Sequence, residues 1–194
     1  MSHIDKTNLN ISQETIRDWE SLLAVLANRA SVPCALIMRI DLPEIKVCVS
    51  SRTKGNPYNA GDKEVLKDSG LYCERVFTTR NKLLVGNALR DPDWDKNPDV
   101  KLGMISYFGF PILWPDKEVF GTVCILDSKE NYYNKKIETI MLKIKRYIEA
   151  CLDLLVAQHL AEQATGDRKM LEQEIQEKKL LCCSLLEEAS EVIP

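Results

Sequence analysis

Seven cysteines and two histidines are the residues of this 194-residue chain that could hold a metal, carry a redox couple or attack a substrate. Their spacing argues against each. Cys34, Cys48, Cys73, Cys124, Cys151, Cys182 and Cys183 repeat no interval, form no CxxC and sit mostly in apolar stretches, so they read as reduced thiols rather than a disulfide framework. No attacking and resolving pair is visible, and the cysteines are expected to be neither catalytic nor disulfide-bonded. The two histidines, His3 and His159, are far apart, and a structural metal site is not expected. The chain contains neither HExxH nor GxSxG, and "GNPYNAGDK" misses a phosphate loop in both spacing and lysine position. His159, in "VAQHLAEQAT", lacks the acidic-then-basic pair that follows a phosphoacceptor histidine and reads as a solvated helical side chain.

Composition narrows the partners. With 45% hydrophobic and 28% charged residues and a formal net charge of -3, the surface offers nothing to a polyanion, and nucleic acid is not expected to bind. Apolar runs fall well short of the roughly 20 residues of a membrane span. The start "MSHIDKTNLN" has no basic-then-apolar leader. A cytoplasmic chain with no membrane insertion is the expectation.

These residues must be positioned by an alternation of helices and short strands. Ile16, Trp19, Leu23, Leu26 and Ala30 share one helical face, predicting a helix over 12–30 capped by Asn10 or Ser12. "CALIMRID" and "IKVCVSSR" flank "LPE" and predict a β-hairpin. "TKGNPYNAG" is a loop; "KEVLKDSGLYCERVFTTR" is expected to be mostly helical with a break near Ser69 and Gly70; "KLLVGNAL" is expected to be a strand. In "RDPDWDKNPD" an indole, Trp94, sits in a polar loop, and Pro98 can open a short helix. Strands over 106–113 and 119–127 follow, joined by "WPDKE". Tyr107 and Gly109 must face away from Ser106, Phe108 and Phe110. Periodicity does not say which set faces which layer.

From Asn134 the apolar positions Ile137, Met141, Ile144, Ile148, Cys151 and Leu155 keep a 4-3 spacing that suits a coiled-coil seam leaving the domain; the alternative is a core helix packed on it. The stripe lapses near Gly166 and resumes at Leu171, Ile175, Cys182 and Leu185, one residue out of phase. Either one long helix changes its packing there, or two segments meet.

The order of elements predicts an α/β (α+β) domain around a central antiparallel sheet. The stretches "ALIMRI", "VSSRTKGNPY", "SGLYCE", "LLVGNALRDPDW", "NPDVKLGMISYFGFPILWPD" and "FGTVCILD" together resemble a GAF domain of the type found in bacterial sensor histidine kinases and diguanylate cyclases. The resemblance runs from about Trp19 to Leu155. It implies a small-ligand sensor with its pocket between one sheet face and the connecting helices and loops, dimerising through its terminal helices. It divides the chain into a tail (1–11), a sensor domain (12–155) and a helical linker (156–194) toward an output domain that supplies any kinase or cyclase activity.

Subclass marks of the family are missing. "NKLLVGNALRD" departs from the cyclic-nucleotide signature after its first two residues, and no histidine between His3 and His159 is available to a bilin or a haem. The methionine sulfoxide reductase subgroup needs two cysteines. Cys73 stands near the position of one, but "DVKLGMISYFGF" contains no partner. The chain is therefore expected to bind an unidentified small molecule rather than to be an enzyme; a scaffold that dimerises with an empty pocket is the alternative. A pocket of this kind would take Met104, Tyr107 and Lys101 from the hairpin region, Tyr72 and Cys73 from the helical wall, Trp94 as a lid and Arg52 as an anion clamp.

Overall fold

The computed structural model describes Lys6 and residues 9–192, with side chains described except at 171, 174–175 and 177–192. Helix α1 is Gln13–Ala30. Ser12 caps it by accepting the Thr15 N–H at 3.1 Å, and Ser31 closes it in the left-handed conformation. The predicted stripe is buried through Trp19, Leu23 and Leu26, with Ala27 in place of Ala30. Strands β1 (Cys34–Asp41) and β2 (Glu44–Ser50) form the predicted hairpin. β5 (Ser106–Leu113) and β6 (Val119–Asp127) form the second, at the expected boundaries.

Two segments depart from expectation. The stretch 63–79 is helical only over α2, Tyr72–Thr79. Lys63–Val65 is instead β3, paired with Glu44–Lys46 of β2. A free sheet edge satisfies these backbone groups, a long-range term that local periodicity does not contain. The turn between them uses positive φ at Asp68 and Gly70, and the Glu74 carboxylate ties it down, accepting the N–H of Asp68 at 2.7 Å and of Gly70 at 3.0 Å. "KLLVGNAL" yields only the short β4, Leu83–Val85. The strand stops at Gly86 because the Tyr132 ring packs there, 2.2 Å from where a Cβ would stand, and Asn87 then caps a 3-10 turn over Ala88–Arg90.

The six strands make one antiparallel sheet in the order β3-β2-β1-β6-β5-β4. Strand alternation divides the core in two. One face carries Ala35, Ile37, Phe108, Phe110, Ile112, Val123 and Ile125, all buried. On this side α1 packs through Trp19, edge-on to Phe120 at 6.3 Å. The other face carries Cys34, Leu36, Tyr107, Cys124 and Leu126 beneath α2. Tyr107 thus faces α2 and Phe108 faces α1, which settles the orientation of the final hairpin.

Helix α3, Lys135–Val192, begins at Asn134, whose side chain accepts the Lys136 and Ile137 N–H groups at 3.0 and 3.1 Å. Most of the stripe expected to leave the domain as a seam is spent on it instead: Ile137, Met141, Ile144 and Ile148 are buried, and Leu152 is buried while Cys151 and Leu155 are half-buried. The Glu149 carboxylate accepts the Leu113 N–H at 2.9 Å, and Tyr133, just before the helix, stacks on Phe108 at 5.6 Å. Aliphatic side chains at helical spacing bury as well against a sheet as against a partner helix, and the sheet belongs to the same chain. Helix geometry runs unbroken through Gly166. The second stripe, Leu171 to Leu185, lies outside the residues whose side chains are described. Contacts divide the chain into two units, Met1–Asp153 and Leu154–Pro194; the second is helical up to Val192. Among the described residues no helix is long and apolar enough to cross a membrane.

Candidate functional site

A cleft of about 570 Å³ opens on the α2 face, between β1 and β2, the loop before β3 and β3 itself, Leu71 and a 3-10 helix, Pro98–Leu102. Met38, Ile45, Val47 and Leu71 make its apolar wall, and Tyr58, Asp99, Lys63 and Lys101 bring polar groups to it. This is the usual composition of a small-molecule site. Its central polar contact is a hydrogen bond of 2.7 Å from the Tyr58 hydroxyl to the Asp99 carboxylate.

Local capping holds both partners. Asn97 caps the 3-10 helix, accepting the Asp99 N–H at 2.8 Å while donating to the Gly70 carbonyl at 2.7 Å. Pro98 occupies the first helical position, and Gly103 ends the helix at φ 79°, a conformation open to glycine. On the other side Asn56 accepts the Tyr58 N–H at 3.0 Å, and Ser50 donates to the Tyr58 carbonyl at 2.8 Å. Burial pushes the Asp99 carboxyl up to about 6, against the Tyr58 hydrogen bond and with a smaller push from Glu64. Burial likewise drives the Tyr58 phenol far above its ordinary range, with Asp99 adding to it. The pair is therefore a phenol donor on a carboxyl that burial makes easier to protonate than an exposed aspartate.

Beside the cleft lies a packed aromatic and thiol layer. Tyr72 stacks on Tyr107 with ring centres 4.8 Å apart, Trp94 lies on Tyr72 at 5.1 Å, and the Arg75 guanidinium sits 6.0 Å above Trp94. Gly109 makes room for the Tyr107 phenol: a Cβ at that position would stand 2.1 Å from its oxygen. The Cys73 sulfur lies 3.5 Å from that oxygen and 3.3 Å from Thr122 Oγ1. Among the described residues the buried Tyr72 hydroxyl has no hydrogen-bond partner. No group of three His, Cys, Asp or Glu side chains suited to a metal ion occurs among the described residues.

Of the sequence-predicted site residues, Lys101 lines the cleft. Tyr72, Cys73, Met104 and Tyr107 meet in the buried cluster of the same face, with Trp94 half-buried against them. They back the cleft rather than line it. Trp94 covers Tyr72, so its lid closes on protein. Arg52 does not line this cleft. Its side chain is 86% exposed and ion-paired with Glu20, in a neighbouring recess that shares Tyr58 with the cleft. The missed residues are Tyr58, Asp99, Lys63 and Met38. Asp99 carried a faint signal, since an aspartate directly after a capping Asn-Pro has its position held by that cap; Tyr58, within a glycine- and asparagine-rich loop, carried none.

No protein-family model matches the chain, and no curated protein sequence matches it. Solved structures do. A type II free methionine-R-sulfoxide reductase from Thermoplasma acidophilum superposes with TM-score 0.57 at 13% identity, over 73% of this chain and 95% of that one. The GAF domain of an Acinetobacter phosphoenolpyruvate-protein phosphotransferase does so with TM-score 0.55 at 14% identity, over 84% and 99%. The PixJ GAF domain of Thermosynechococcus elongatus, in its blue-light-absorbing form, gives TM-score 0.57 at 10% identity, over 81% and 96%. At such identities the likeness is one of architecture, and with the strand order, the two hairpins and the flanking helices already described it shows that this chain has the GAF fold.

Proposed function

We propose that the chain is a sensory GAF module that binds a small molecule in the cleft and regulates an output domain, of histidine kinase or diguanylate cyclase type, through α3. The observation that carries this is the Tyr58–Asp99 pair set in an apolar wall: two oriented polar groups, each held by its own cap or turn, at the mouth of a cavity of about 570 Å³. A ligand with apolar surface and a donor or cationic group for Asp99 fits it. The groups that converge there suit binding rather than turnover, and any catalysis then belongs to the output domain.

Dimerisation is part of the same proposal. Because Ile144 and Ile148 are buried in their own domain, the surface offered to a second copy is the groove between α1 and α3, where Leu22, Val25 and Tyr147 present apolar area. The test is mass spectrometry of small molecules released from natively purified protein, run beside the Asp99→Ala and Tyr58→Phe variants. A compound retained by the parent and lost from both variants is expected. Release of nothing, together with no thermal shift from a metabolite library, would leave the domain as a dimerisation scaffold.

A further inference from the structure

Three thiols lie on the α2 face: Cys34 on β1, Cys124 on β6 and Cys73 in the first turn of α2. Widely separated in sequence, two of them are neighbours in the fold. Helix α2 packs directly on β5 and β6, and its Cys73 sulfur lies 3.3 Å from Thr122 Oγ1, two residues before Cys124 and on the same side of the strand. The Cys73 sulfur lies 3.5 Å from the Tyr107 hydroxyl as well, and that hydroxyl stands over Gly109, the cross-strand partner of Cys124. Cys34 is directed elsewhere, toward the Leu126 carbonyl at 3.8 Å. Sequence spacing offers no resolving partner for Cys73; the fold brings Cys124 to the same face of the sheet.

We propose that Cys73 and Cys124 are a redox-active dithiol, oxidised by a hydroperoxide to an intramolecular disulfide that joins α2 to β6. Access and hydrogen bonding assign the roles. Cys73 is 8% exposed and Cys124 fully buried, so Cys73 meets the oxidant. The Cys124 thiol and the Thr122 and Tyr107 hydroxyls point at the Cys73 sulfur, and this favours its thiolate despite burial. The same contact and its burial hold the Cys124 thiol protonated.

The thiolate of Cys73 attacks the terminal oxygen of ROOH; the S–O bond forms, the O–O bond breaks, and the alkoxide leaves as the alcohol ROH, taking up the proton that the Cys73 thiol released on ionising. Cys73 is now a sulfenic acid, oxidised by two electrons. The Cys124 sulfur attacks it, the S–S bond forms, the S–O bond breaks, and hydroxide leaves as water with the Cys124 proton. An external dithiol restores both thiols. Closing the bond fixes the sulfurs at about 2 Å. This pulls on the helix turn whose neighbour, Leu71, lines the cleft.

The experiment is peptide mapping of the full chain after brief treatment with hydrogen peroxide, alkylation of remaining thiols and tryptic digestion. The expected product joins peptide 68–75 to peptide 118–129 with the loss of two hydrogens, and dithiothreitol reverses it. In Cys124→Ser, Cys73 should stop at a sulfenic acid that dimedone traps; in Cys73→Ser, Cys124 should remain alkylatable. Should either variant fail to fold, the parent map decides alone, compared with the same chain oxidised in urea. Cys73 and Cys124 both alkylated after peroxide, a dominant Cys34–Cys124 link, or the same mixture of links from native and unfolded chains would overturn the proposal.

Discussion

The two faces of the sheet are made by the same strands and differ in what the alternate residues carry. Toward α1 and α3 stand Ala35, Ile37, Phe108, Phe110, Ile112, Val123 and Ile125, met by Trp19, Met141 and Ile148 from the helices. Toward α2 the same strands present Cys34, Tyr107, Thr122 and Cys124, and the loops add Tyr58 and Asp99. The first face is mostly packing, with the buried Ser106 hydrogen-bonded to Tyr133 at its edge, so its side chains contribute chiefly to stability. The second gives up apolar burial for thiols, phenols and a carboxyl whose protonation depends on its surroundings. Stability and specificity are thus assigned to opposite sides of one sheet, and substitutions on the two sides should differ in kind.

The largest effect is expected on the packed face. Ile148→Glu places a carboxylate where the side chain is fully buried, and should cost about 4 kcal/mol or more in denaturant unfolding. A variant that unfolds like the parent but elutes at a smaller size would restore the coiled-coil reading of the stripe and undo the comparison.

On the cleft face the expected effect depends on pH. Burial raises the Asp99 carboxyl to about 6, above the value near 3.9 of the unfolded chain. The folded state therefore holds this proton more tightly. Its stabilising contribution is complete below about pH 4 and is lost as the pH rises through 6, on the order of 2 kcal/mol. Asp99→Asn does not titrate, so its stability relative to the parent should improve from about pH 4 to about pH 6 and then level off. A pH-independent difference between the two would show that Asp99 is solvated rather than part of a dry wall.

A smaller effect follows from Tyr72. Its buried hydroxyl lacks a partner among the described residues, so Tyr72→Phe should leave stability unchanged or raise it by up to about 1 kcal/mol. A clear loss in thermal unfolding would reveal a partner for the hydroxyl and make this face better satisfied than it looks. The smallest effect belongs to Arg52, away from both faces. With the side chain largely solvated, Arg52→Ala should change stability by less than about 0.5 kcal/mol and leave retention of any cleft ligand unaltered.

Both hairpins and the first helix were legible because their signals are local. The α1 stripe and its Ser12 cap, the turn at "LPE" and the alternation along 106–113 and 119–127 are written within a few residues of where they act. The Asn97-Pro98 start of the 3-10 helix is of the same kind. β3 was not legible, because Lys63–Val65 is a strand only while the edge of β2 is beside it. The α3 stripe shows the same limit, since 4-3 spacing states that one helix face is apolar and not what covers it.

The candidate site divides in the same way. Sequence by itself determined that Tyr72, Cys73, Met104, Tyr107 and Lys101 belong to segments that meet near the final hairpin, because those segments bear the resemblance to GAF domains. Tertiary structure alone decided that Lys101 lines a cleft while Tyr72, Cys73, Met104 and Tyr107 pack behind it, that Arg52 faces solvent beside Glu20, and that Asp99 receives the Tyr58 hydroxyl across 41 residues of chain. It decided also that Cys73 and Cys124 share one buried cluster. Residue type and periodicity are properties of neighbours along the chain, whereas a cleft, a carboxyl raised by burial and a pair of facing thiols exist only once strands distant in sequence have been brought into register.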